Sequence, residues 1–100
     1  MPDPSATNNE AASQFELAQE GETAVLSYRR HAGSITFVHT AVPPQLEGKG
    51  LGKQLAVAGL QFARREGLVV VPLCPFVASY IKRHPEHLEL VREDHRARLL

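Results

Sequence analysis

One hundred residues, 43% hydrophobic and 22% charged, amount to one ordinary globular domain with no material for a second active one. Eleven basic residues balance eleven acidic ones, so charge gives no reason to expect nucleic acid or an anionic membrane as partner. A single cysteine excludes an internal disulfide and a multi-thiolate metal site; with no apolar run near the roughly 20 residues of a membrane span and no signal-peptide order at the start, a reducing cytoplasm is the expected location.

Residues 1 to 13 are rich in Pro, Ser, Asn and Ala without an apolar period, and the expectation is a mobile tail. From Gln14 a period of two sets in. Phe15 and Leu17, then Ala24, Leu26 and Tyr28, then Ile35, Phe37 and His39 share faces, which predicts three strands. The short connections 19–22 and 30–33 carry turn residues, so these strands form an antiparallel meander.

Beyond Val42-Pro43-Pro44 the period lengthens. Leu51, Leu55, Ala58 and Phe62 fall on one helical face, Arg64 and Arg65 suit the last turn, and Gly67 supplies a stop, predicting a helix over 51–66. The unbroken apolar run 68–74 has strand length, and strand-helix-strand makes a βαβ crossover with two parallel strands. Pro72 cannot donate to a ladder, so a gap is expected near the end of this strand. Pro75 starts a short helix with Val77, Tyr80 and Ile81 inward, and His84-Pro85 stops it. Leu88, Leu90 and Val91 close the core as a last turn or short strand. The domain thus covers 14–94, with 95–100 a C-terminal tail.

Between strand and helix lies Gln45-Leu46-Glu47-Gly48-Lys49-Gly50-Leu51-Gly52-Lys53. Glycine here opens backbone angles closed to other residues and removes side chains that would hold an anion off the N–H groups. The following helix begins with unpaired donors, so a phosphate is the natural partner, with Lys49 and Lys53 adding charge; a plain flexible turn is the alternative. Spacing narrows the ligand. Gly48 to Gly52 encloses three residues where a nucleotide P-loop needs four, and Gln54 stands where a magnesium-binding hydroxyl belongs. Lys53 occupies the third glycine position of a dinucleotide fingerprint.

Gln45-x-x-Gly48-x-Gly50, with Val42-Pro43 before it and Leu51-Gly52-x-x-Leu55 after it, resembles the acetyl-coenzyme A (acetyl-CoA) motif of the GCN5-related N-acetyltransferases. His39-Thr40-x-Val42-Pro43, Cys74-Pro75-Phe76-Val77, Tyr80-Ile81 and His84-Pro85 extend the resemblance to the small YjdJ-like branch over about four-fifths of the chain. The resemblance implies a compact α/β fold with a mixed, mostly antiparallel sheet whose two parallel strands splay around the pantetheine arm. It implies acetyl-CoA as cosubstrate, bound by Val42, Gln45, Leu46, Glu47, Gly48, Lys49, Gly50, Leu51, Gly52 and Lys53, and transfer of acetyl to a primary amine. No helical segment fits before Val42, so the paired helices that shape the acceptor pocket in larger members are absent. A non-catalytic CoA-binding module is the alternative reading.

Acetyl transfer needs a deprotonated amine, a polarised carbonyl and a proton for the leaving thiolate. Cys74 and His39 fall at the carboxyl ends of two adjacent parallel strands, the edge where ligands bind in parallel α/β arrangements. Cys74 precedes a helix start, which favours a thiolate. Cys74 accepts the acetyl group with His39 as base, or His39 deprotonates the amine while Cys74 lines the site; the bland alternatives are a packing cysteine and a core histidine. Tyr80 lies where larger family members carry a tyrosine that protonates the thiolate, or it is a core aromatic. His84 and His87 lack a third ligand, so no metal is expected.

Overall fold

Five strands, β1 (Thr7–Asn9), β2 (Gln14–Gln19), β3 (Glu22–His31), β4 (Ser34–Ala41) and β5 (Val69–Pro72), lie side by side in that order in the computed structural model, which describes residues 6–99. Neighbours from β1 to β4 are antiparallel, and β5 joins β4 in parallel after the helix α1 (Leu51–Glu66). This is the mixed, mostly antiparallel sheet with one βαβ crossover that the sequence predicts.

Period-two burial places one face of the sheet inward. Phe15 and Leu17 on β2, Ala24, Leu26 and Tyr28 on β3, and Ile35 and Phe37 on β4 are all buried. Against them α1 lays Leu51, Leu55, Ala56, Leu60, Phe62 and Ala63, a wider stripe than the four predicted positions because Ala58 is only half-buried. Helix α1 ends at Gly67 in the left-handed conformation, whose N–H reaches back to the Ala63 and Arg64 carbonyls. A second helix, α2 (Pro75–Arg83), buries Val77, Tyr80 and Ile81. It shares α1's face of the sheet, since the two helices touch and their buried side chains join one continuous core with the sheet residues.

Both chain ends depart from the sequence reading. Thr7–Asn9, expected in a mobile tail, pairs with Gln14–Glu16 of β2, and polar side chains hold it there. The Tyr28 hydroxyl donates to Asn8 Oδ1 at 2.7 Å, and Asn9 Nδ2 donates to Glu16 Oε2 at 3.0 Å. Masked from a hydrophobicity argument, this strand is made by hydrogen bonds. Residues 1–5 of the expected tail lie outside the described residues. At the other end, Pro85–Leu90 forms a 3-10 turn, Val91 bridges Val70, and α3 (Glu93–Arg96) continues into a 3-10 turn at Ala97–Leu99. Leu99, assigned to a C-terminal tail, is 7% exposed and belongs to the core.

Strand β5 leaves the ladder early, but not because of Pro72. The Val69 N–H donates to Gly33 O at the start of β4, whereas Val70 O accepts from Arg92 N–H on the far side, both at 2.9 Å. Backbone groups alternate along a strand, so Pro72 turns its missing N–H to the far side, with Val70. The slip comes one residue later. Leu73 N–H folds back to Val71 O (3.2 Å), and Cys74 N–H takes Phe37 O in its place (2.8 Å). Past Phe37, β4 runs on through residues 38–41 without β5 beside it.

Leu99→Ala removes apolar volume from a site that is nearly closed to water. A loss of about 2 kcal/mol in urea unfolding is expected, at the low end for buried leucines because the chain end can relax. A tail residue at this position would leave the midpoint unchanged.

Candidate active site

The connection from β4 to α1 is built to leave donors unpaired. Leu46, fully buried in the 3-10 turn Pro44–Leu46, pins its start. Gly48 (φ +82°) and Gly50 (φ +77°) then take left-handed conformations that bulkier residues resist, and Gly50 caps α1 without any side-chain acceptor. The first bond of the helix runs from Gln54 N–H to Gly50 O at 3.1 Å. Among the described residues the N–H groups of residues 48–53 therefore have no protein acceptor, six consecutive donors at the positive end of a 16-residue helix.

Beside them opens a cavity of about 240 Å³, lined by all the residues predicted to hold the cofactor except Gln45 and Lys49. Gln45 stands exposed on the 3-10 turn. The Lys49 ammonium is engaged by Glu20 in the β2–β3 turn, and this partner holds the Glu20 carboxyl below its ordinary range. Lys53 is exposed and forms no ion pair among the described residues. One wall was missed from sequence. Phe76, off the buried stripe of α2 and 39% exposed, lays its ring against Gly52, where a Cβ would approach within 2.8 Å. Gly52 thus acts through close packing of α2 on α1.

Where β4 and β5 part stands Cys74, 1% exposed and at the N-cap of α2. Its thiol makes no capping bond. Instead Sγ lies 3.1 Å from Thr40 Oγ1. The expected partner, His39, is elsewhere. Tyr28 pairs with Phe37 but Ser27 with His39, so Val38 is an extra residue in β4, a β-bulge. The bulge reverses the alternation: Thr40, opposite buried Leu26, joins the helix-covered face, and His39, opposite Ser27, is exposed on the other. The structure therefore brings a hydroxyl, not an imidazole, to Cys74.

Comparison of the sequence with known proteins gives the family. Residues 14–90 match the family model described as GCN5-related N-acetyl-transferase. The chain belongs to the GCN5-related N-acetyltransferase family. Protein NATD1 of Gallus gallus is 34% identical over 85 residues, covering 76% of this chain and 76% of its own length. Protein NATD1 of Xenopus tropicalis is 33% identical over 76 residues, covering 72% and 69%, and Protein NATD1 of Mus musculus is 34% identical over 76 residues, covering 72% and 68%.

Within this GCN5-related domain Tyr80 is not among the residues that line the cavity beside the 48–53 loop. It lies six residues beyond Cys74, about 9 Å along the helix axis at the usual rise, and its ring stacks on His84 (centroids 4.3 Å apart) and meets His87 at 5.8 Å. Burial, aided by the Glu86 charge, pushes the phenol up from its ordinary value. Tyr80 anchors α2 to the 3-10 turn that follows it. In the same cluster His87 Nδ1 is buried with no hydrogen-bond partner, and burial holds the imidazole below its ordinary 6.5.

A depressed histidine pKa means that the unfolded chain binds the proton first. The stability His87 contributes is complete above pH 6.5 and is lost as the pH falls toward its folded value. Urea midpoints should therefore decline between pH 7 and pH 5.5, above the range where the carboxylates titrate. His87→Phe should flatten that decline; an unchanged slope would assign it to other groups.

Proposed function

We propose that this protein binds acetyl-CoA at the 48–53 loop and moves its acetyl group to a primary amine, with Cys74 as the intermediate carrier. The observation that carries the reading is the row of six N–H donors without protein acceptors at the start of α1, beside the cavity that Phe76 closes. A diphosphate presents several anionic oxygens to such a row, and Lys53 adds a cation beside it. Val42, Leu46, Leu51 and Phe76 give the cavity an apolar side suited to the thinner, less charged pantetheine arm. Family membership supports the same ligand, since GCN5-related domains generally use acetyl-CoA.

Bound there, the cosubstrate supplies an acetyl group activated as a thioester. Cys74 Sγ forms a bond to the acetyl carbonyl carbon while the original carbon–sulfur bond breaks; the thiol gives up its proton and the departing sulfur takes one up. An amine nitrogen then bonds to that carbon, the Cys74 sulfur leaves, and the proton shed by the amine restores the thiol. A lone reduced thiol suits a reducing compartment such as the cytoplasm.

Acetyl-CoA at 100 times its dissociation constant adds about 2.7 kcal/mol of stability. For a domain of this size that raises Tm by roughly 10–20 °C. ATP and NAD at the same concentration should do far less, and Gly50→Val should abolish the shift, because the side chain resists the left-handed angle and blocks the amides. Equal shifts for all three nucleotides would refute the loop assignment. Intact mass after brief exposure to acetyl-CoA should show one acetyl group that is absent in Cys74→Ala. A thermal shift without that adduct, and without acetylation of any amine supplied, would favour the CoA-binding module instead.

A further inference from the structure

The Cys74 thiol turns away from the helix end it caps and toward Thr40. At 3.1 Å the two atoms are within hydrogen-bond reach, and either can be the donor. Thr40 is there because of the Val38 bulge. Without the extra residue, strict alternation would put residue 39 beside the thiol and turn Thr40 to the uncovered face. Bulges of this kind re-aim side chains beside active sites, and this one delivers a rotatable hydroxyl to a thiol that is otherwise sealed from solvent.

We infer that Thr40 is a positioning residue for the reaction, acting through Cys74: its hydroxyl donates to the thiolate, holding the sulfur where β4 and β5 part. A hydroxyl proton rotates freely, so Thr40 accepts from the neutral thiol and donates once the thiol is ionised. The two states are not equivalent. A hydrogen bond to an ionised acceptor is roughly twice as strong as one between neutral groups, so the pair favours the thiolate. Cys74 belongs to the same buried apolar core as Phe37 and Val77. No proton leaves Thr40 in this role, and the thiol proton passes to the departing sulfur.

Thr40's part in turnover rests on Cys74 being the acetyl acceptor, so the test is read first on the free protein, without acetyl-CoA. The rate of Cys74 alkylation by iodoacetamide is followed against pH in the whole chain, by intact mass. Thr40→Val, close in shape and without the hydroxyl, should move the midpoint of that profile upward by about one pH unit, the size expected for losing one hydrogen bond to a charged sulfur. Thr40→Ser, which keeps the hydroxyl, should return it to within a few tenths of the parent value. A merely structural role would not separate Val from Ser in this way. Superimposed profiles for the parent and Thr40→Val would overturn the inference, as would a downward shift, which would show that Thr40 holds the neutral thiol. Should Thr40→Val unfold, the Thr40→Ser profile and that of Thr40→Ala decide by the same criterion. Acetylation of Cys74 by acetyl-CoA at pH 7 should then fall about tenfold in Thr40→Val, in line with one unit of pKa. A shifted alkylation profile with no acetyl adduct in any variant leaves the Thr40–thiol bond standing and removes the carrier role of Cys74.

Discussion

The parting of β4 from β5 after Phe37 is the constraint on which the site depends. Two adjacent parallel strands normally exchange bonds along their whole length, which would close the sheet edge and bury both carboxyl ends against each other. Here Leu73 spends its N–H on Val71, the ladder slips by one residue, and Cys74 N–H makes the last bond to Phe37 O. The chain then enters α2 at once, with Pro75 at its first position. As a result the ring of Phe76 meets the 48–53 loop at one cavity, more than twenty residues apart in sequence, while the Cys74 thiol lies against Thr40 of β4.

Two helix starts are gathered at this cavity, and they are held by unlike means. Helix α1 begins at a left-handed glycine with no side-chain cap, leaving its first donors without a protein acceptor. Helix α2 begins with a proline, so it lacks one of the orphan donors that other helices carry, and its cap residue points a sulfur at β4. The ring of Phe76 sits between them, admitted only because residue 52 has no Cβ. The division suits the proposed chemistry: an anion-gripping end on one helix, a nucleophile at the end of the other.

Much of this was legible in the sequence, for reasons that particular residues make plain. The 3.6-residue period from Leu51 and the stop at Gly67 gave α1 its bounds, because burial on one face and a left-handed cap are local properties. The glycine loop was legible because left-handed backbone turns leave a composition signature. Long-range facts were not legible. The bulge at Val38 exists in the register between β4 and β3, so nothing within residues 34–41 announced that His39 and Thr40 would exchange faces. Thr7–Asn9 has no apolar alternation to read, since Tyr28 and Glu16 secure it through polar side chains. Phe76 lay outside the inward stripe of α2, and its role appears only once α1 is docked beside it.

Lys49 offers a last example of a residue whose meaning changes in three dimensions. Its ammonium is tethered across the fold to Glu20, an exposed pair that dissolved ions loosen readily. Ionic strength thus reaches the loop by two opposed routes: it screens the pull of the α1 terminus on a polyanion, and it releases a second cation close to the same amides. On the proposed binding of a diphosphate the two effects offset one another, and affinity falls less steeply with salt than it would for a loop carrying two untethered lysines.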